Sequence, residues 1–79
     1  MQIIYIYDVK GKTRKEFNRV KRMFYYNLIK LGLKNCVWKT KSVLISHVET
    51  EGILDKFFQT FKDNIEVYKI RAKYIEDFI

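Results

Sequence analysis

The chain has 79 residues, with 16 Lys and Arg against 9 Asp and Glu, and a net charge of +7. That length makes one domain with a thin core, because a chain of this size buries only about 60% of the surface its unfolded form exposes. The single cysteine, Cys36, excludes an internal disulfide, and no apolar run approaches the ~20 residues of a membrane span.

Residues 2–8 predict a strand. Ile4 and Ile6 share one face and Ile3, Tyr5 and Tyr7 the other, with Asp8 at the strand end. A turn follows at Lys10, Gly11 and Lys12. Thr13 and Glu16 then have the spacing of a capping box: the Thr13 hydroxyl can take the Glu16 amide, and the Glu16 carboxylate can reach back to the Thr13 amide. The helix so opened runs to about Leu31. Its apolar stripe is Phe17, Val20, Phe24, Leu28 and Leu31, with Gly32 as the stop residue and Leu33 placed to pack back. At ~100° per residue, Lys15, Arg19, Arg22, Tyr26 and Lys30 fall opposite that stripe, giving a basic outer face with an embedded tyrosine.

Residues 35–48 are strand-like, either two short strands joined near Lys39, Thr40 and Lys41 or one long bent strand. Thr50 can cap a second helix with Glu51 near its positive end. Ile53, Leu54, Phe57, Phe58 and Phe61 form its stripe, and Asp63 and Asn64 end it. Residues 65–70 make the last strand, and residues 71–79 form a tail suited to docking or strand exchange.

The order β-α-β-β-α-β predicts an α+β ferredoxin-like domain over 1–79, one antiparallel sheet with both helices on one face. With Ile4 and Ile6 turned to the helices, Tyr5, Tyr7, Tyr68 and Ile70 would lie on the open face. That patch is too apolar to stand alone, and it favours a dimer interface over base stacking. Cys36 reads as a buried free thiol of a reducing compartment. The apolar start carries Asp8 and leads into a basic run, the reverse of a secretory signal. The expectation is a soluble, cytoplasmic protein without a membrane partner.

Charge is distributed unevenly. Residues 10–41 hold 11 Lys and Arg and one acid, Glu16, a net +10, whereas residues 42–79 hold 5 basic and 7 acidic groups. Such clustering is the footprint of nucleic-acid binding. Lys10, Lys12 and Arg14 surround a helix N-terminus, a position suited to phosphate, and Lys15, Arg19, Arg22 and Lys30 continue the basic surface. Asp8 reads either as a carboxylate capping the following turn or as a hard-metal ligand for Mg2+ or Mn2+. As a ligand it would need a second copy brought up by a two-fold axis. Gly11, Lys12 and Thr13 resemble the end of a nucleotide-binding P-loop, but Ile6 stands where that motif needs glycine. His47 lies beside Ser46 and Glu49, and neighbours in sequence cannot form a nucleophilic triad.

Three segments together resemble the CRISPR-associated protein two family, here called Cas-two. They are Ile4, Tyr5, Ile6, Tyr7, Asp8 and Val9; Lys41, Ser42, Val43 and Leu44; and Ile65 through Arg71. Thr40, Leu44, Ile45 and Ser46 depart from the family's middle motif. The resemblance implies a ferredoxin-like homodimer with its first-strand aspartates, here Asp8, together at the interface. It implies Mg2+- or Mn2+-dependent endonuclease activity on RNA or double-stranded DNA, with Asp8 as catalytic and metal residue. Alternatively, it implies a non-catalytic scaffold that bridges DNA to a CRISPR integrase during spacer acquisition. A toxin-like endoribonuclease of the same superfamily and a single-strand RNA-binding module are the other readings.

Overall fold

Alternating apolar residues in four segments, separated by two helical periods, fold as the sequence order predicts. The computed structural model describes residues 1–79, as β1 (Gln2–Val9), α1 (Arg14–Lys30), β2 (Cys36–Thr40), β3 (Val43–His47), α2 (Glu51–Thr60) and β4 (Ile65–Ala72). The strands form one antiparallel sheet in the order β2-β3-β1-β4 with both helices against one face, an α+β ferredoxin-like arrangement. The two-strand alternative for residues 35–48 is the observed one. Lys41 and Ser42 make the turn, where the Ser42 amide donates to Thr40 Oγ1 at 3.0 Å and the Tyr25 hydroxyl donates to the Lys41 carbonyl.

Helix α1 starts where Thr13 stands in extended backbone and its Oγ1 accepts the Glu16 amide at 3.1 Å. The reciprocal half of the box differs from expectation. The Glu16 carboxylate accepts the Lys12 amide at 3.3 Å and the Asn64 side-chain amide at 3.4 Å, so it ties the loop to the start of β4 rather than to Thr13. The Lys10 amide adds a bond to the Asn64 carbonyl at 2.7 Å. Gly11 is required here, because a Cβ on it would lie 2.6 Å from the Phe17 backbone. Gly32 ends α1 at φ +62°, the left-handed stop, and Leu33 packs back on the core.

Thr50 does not cap α2 with its side chain. A turn of 3-10 helix over Val48–Thr50 precedes the helix, and the Thr50 hydroxyl donates to the His47 carbonyl at 3.0 Å. His47 Nδ1 accepts the Glu49 amide at 3.4 Å, a turn-closing role. Cys36 is half-buried rather than sealed in the core, its Sγ 3.8 Å from Thr50 Oγ1.

The faces of β1 are the reverse of those expected. Ile3, Tyr5, Tyr7 and Val9 are buried against the helices, whereas Ile6 is exposed and Ile4 half-buried on the open face. Both sets are apolar, so alternation alone did not choose between them. The aromatic set wins because its rings meet a ring cluster on the helices and its hydroxyls find partners on α2 and β2. Tyr5 stacks on Phe58 at 4.9 Å and donates to Asp55 Oδ1 at 2.8 Å. Tyr7 lies 5.2 Å from Phe24 and accepts the Trp38 indole N–H at 3.0 Å. Burying a tyrosine is favourable when its oxygen is satisfied in this way. Tyr5 and Tyr7 are therefore core residues, not members of an exposed interface patch.

Phe24 is the hub, fully buried with Tyr7, Tyr25 and Phe57 each 5.2 Å away and Phe61 at 5.4 Å. Truncating such a phenylalanine costs about 3–5 kcal/mol. Register then fixes the open face: Ile4 pairs with Ile45 and Ile70, and Ile6 with Val43 and Tyr68. Tyr68 and Ile70 are exposed there, as expected.

The last strand extends to Ala72, so Arg71 and Ala72 belong to the sheet rather than to the tail. Beyond it the chain passes from the β4 edge to the opposite edge, where Asp77 pairs with Lys39 at 2.9 Å. Lys39 sits at the register shift between Trp38 and Thr40, and within the tail Ile75 is half-buried. Tyr74 and Phe78 stay exposed.

Candidate nucleic-acid interface

Helix α1 lies on the sheet through Val20, Phe24 and Leu28, and its 3.6-residue period turns Lys15, Arg19, Arg22, Tyr26 and Lys30 to solvent. Over Arg14–Lys30 there are six basic residues and one acid, Glu16, which is occupied by the loop it caps. Lys12, Arg14, Lys15, Arg19, Arg22 and Lys30 are all exposed, and none is in an ion pair. Cations left unpaired on one face leave a positive field for a polyanion.

Lys10 differs from the other six. Its Nζ lies 3.0 Å from Asp8 Oδ2 and 3.8 Å from Glu66 Oε2, and Asp8 beside it holds the ammonium above the usual lysine range. A phosphate approaching Lys10 must compete with two carboxylates. Lys10, Gly11 and Lys12 also border a hollow that includes Glu16 and Asp63, so the loop is a weaker anion surface than the helix.

Asp8 is exposed on the open sheet face, directly across from Glu66 in the β1–β4 register. The Tyr68 hydroxyl donates to Glu66 Oε1 at 2.8 Å. Glu66 is the residue that sequence reasoning missed. Only the register of β4 against β1 places it beside Asp8, and residues 58 positions apart carry no local signal of that pairing. Asp8 also borders a hollow of ≈ 170 Å³ shared with Phe17, Lys21 and Tyr25 of α1 and with Lys41, so one edge of the helix lies near it.

As a divalent-ion site, one chain falls short. It brings two carboxylates together with an ammonium already between them, and no third His, Cys, Asp or Glu joins the group.

A groove of ≈ 740 Å³ runs between the helices beside the basic face. Val20, Phe57 and Phe61 floor it, Arg19 and Lys30 stand at its rim, and no acid lines it. At the other end of the domain, Glu51 and Asp55 of α2 grip Lys69 of β4 at 2.7 and 3.0 Å, and Arg71 also bonds Glu51. These two cations are neutralised and add nothing to the anion-binding surface. No helix of the structure is long and apolar enough to cross a membrane. No protein-family model matches the chain, and no curated protein matches it.

Proposed function

We propose that the protein binds nucleic acid, RNA or double-stranded DNA, through the outer face of α1 and the loop of residues 10–14. It does so as a homodimer joined through the open sheet face, with the scaffold role in CRISPR spacer acquisition that the Cas-two resemblance implies. One observation carries the binding claim: Lys12, Arg14, Lys15, Arg19, Arg22 and Lys30, on one helix and its leading loop, are all exposed and unpaired. Phosphate neutralisation releases counterions, so affinity falls with salt at about 0.9 per contact on a log–log plot. Fluorescence anisotropy on a labelled duplex from low to moderate salt should give a slope of about −5 for six contacts. A flat dependence on the duplex and on a single strand alike would sink the proposal. Co-purification of an integrase would support the scaffold role.

A second reading is a Mg2+- or Mn2+-dependent endonuclease. It is favoured by the pairing of Asp8 with Glu66 on the face proposed to meet a second copy, where a two-fold axis would assemble four carboxylates. Asp8→Ala should then abolish metal-dependent cleavage while binding persists. Cleavage that survives in that variant removes Asp8 from the chemistry.

A further inference from the structure

Of the tyrosines exposed on this protein, one stands in cationic surroundings. Tyr68 is bonded to Glu66 beside Asp8, and Tyr74 lies in a tail where Lys73 is offset by Glu76 and Asp77. Tyr26, 65% exposed, sits in the middle of the basic face of α1. Arg22 and Lys30 lie one turn to either side, at i−4 and i+4, and the Lys30 ammonium is 6.0 Å from the Tyr26 ring. Met23 and Ile29, at i−3 and i+3, are also exposed, at 51% and 64%. The outer face thus carries an apolar shelf, Met23–Tyr26–Ile29, laid across a row of cations. A duplex shows such a surface its phosphates and hides its bases. A single strand offers both phosphates and unpaired aromatic planes.

From this we infer that Tyr26 is a base-stacking residue and that α1 takes single-stranded nucleic acid, with Arg22 and Lys30 holding the phosphates on either side of the stacked base. The inference rests on the reading of α1 as the nucleic-acid face and narrows its substrate class. From Lys15 to Lys30 the helix spans about 22 Å, room for about six stacked nucleotides at 3.4 Å each. The ring projects from the helix rather than from the sheet, where Tyr5 and Tyr7 are occupied with the core.

The test is anisotropy over a series of salt concentrations with a labelled 12-nucleotide single strand, a blunt duplex of the same length and vesicles of anionic phospholipid. Wild type, Tyr26→Ala, Tyr26→Phe and Arg22→Ser are compared. Tyr26→Ala should lose about 5- to 100-fold in single-strand affinity. Tyr26→Phe should stay within about twofold, because the ring and not the hydroxyl stacks. Duplex affinity and the salt slope should be unchanged in Tyr26→Ala, whereas Arg22→Ser should lower the slope. Equal loss on strand and duplex, no loss on the strand, or a loss confined to vesicles overturns the stacking role while α1 remains an anion surface. Wild type that binds neither strand nor duplex in a salt-dependent way overturns the nucleic-acid reading itself.

Discussion

At Tyr5, burial first and the Asp55 carboxylate second push the phenol well above the usual tyrosine range, so it is a permanent hydrogen-bond donor. The same hydroxyl reaches the Glu51 carbonyl at 3.4 Å, which makes one side chain of β1 a tie to the first turns of α2. Tyr5→Phe keeps the ring stack on Phe58 and removes only this tie. A net loss of about 1 kcal/mol is expected, read as a fall in melting temperature of about 4–8 °C for a domain this size. Oligomeric state and nucleic-acid affinity should not change, because the ring never reaches the surface. A surface tyrosine would tolerate the change within about 0.5 kcal/mol, so a silent substitution would argue against the buried placement.

Docking of α2 on the β4 edge is the element whose stability should depend on acid. Hydrogen bonds from Lys69 first and Arg71 next hold the Glu51 carboxyl below the ordinary carboxylate range. Its folded pKa thus lies below its unfolded value of about 4.3. The stability it contributes is complete above that value and is lost as pH falls through the lower, folded one. Lys69 is held above the usual lysine range, by Glu51 first and Asp55 next, so its share is present below an unfolded value of about 10.4 and fades as pH rises through the folded one. Urea midpoints should therefore hold between about pH 5 and 10 as far as this cluster is concerned, and fall on either side. Glu51→Gln should flatten the acid limb. An unchanged acid limb in that variant would remove Glu51 from the docking.

Seen whole, the domain presents two unlike sides. The helix side carries the unpaired cations of α1. The open sheet side carries Ile6, Tyr68 and Ile70 exposed and Ile4, Val43 and Ile45 half-buried, and Lys39 straps the tail to the β2 edge through Asp77. Both partners of that strap are exposed, and surface pairs of this kind contribute only about 0–1 kcal/mol. A homodimer joined through the sheet side would turn two basic helices outward, an arrangement that bridges two stretches of nucleic acid and suits a scaffold better than a single cutting site. Light scattering at tens of micromolar should give roughly twice the 9.7 kDa chain mass. Ile6→Glu with Tyr68→Glu should give the monomer, with each α1 still binding but without the avidity of two. A monomeric wild type would reject the homodimer and leave the helix claim standing.

By itself the sequence determined the element order, the two ends of α1 and the basic row on its outer face. These are local matters: capping chemistry at Thr13, the left-handed stop at Gly32, and a period that sorts Lys15, Arg19, Arg22 and Lys30 from Val20, Phe24 and Leu28. The use of each face of β1 was not local. Ile4 and Ile6 are as apolar as Ile3, Tyr5 and Tyr7, and period-2 alternation describes both sets equally. Only the partners waiting on the helices, Phe24, Phe58 and Asp55, made the tyrosine face the inner one. Tertiary structure likewise set Glu66 beside Asp8 and drew Lys10 between them. Strand register joins residues far apart in the chain, and that is why the basic face could be read from sequence while the surroundings of Asp8 could not.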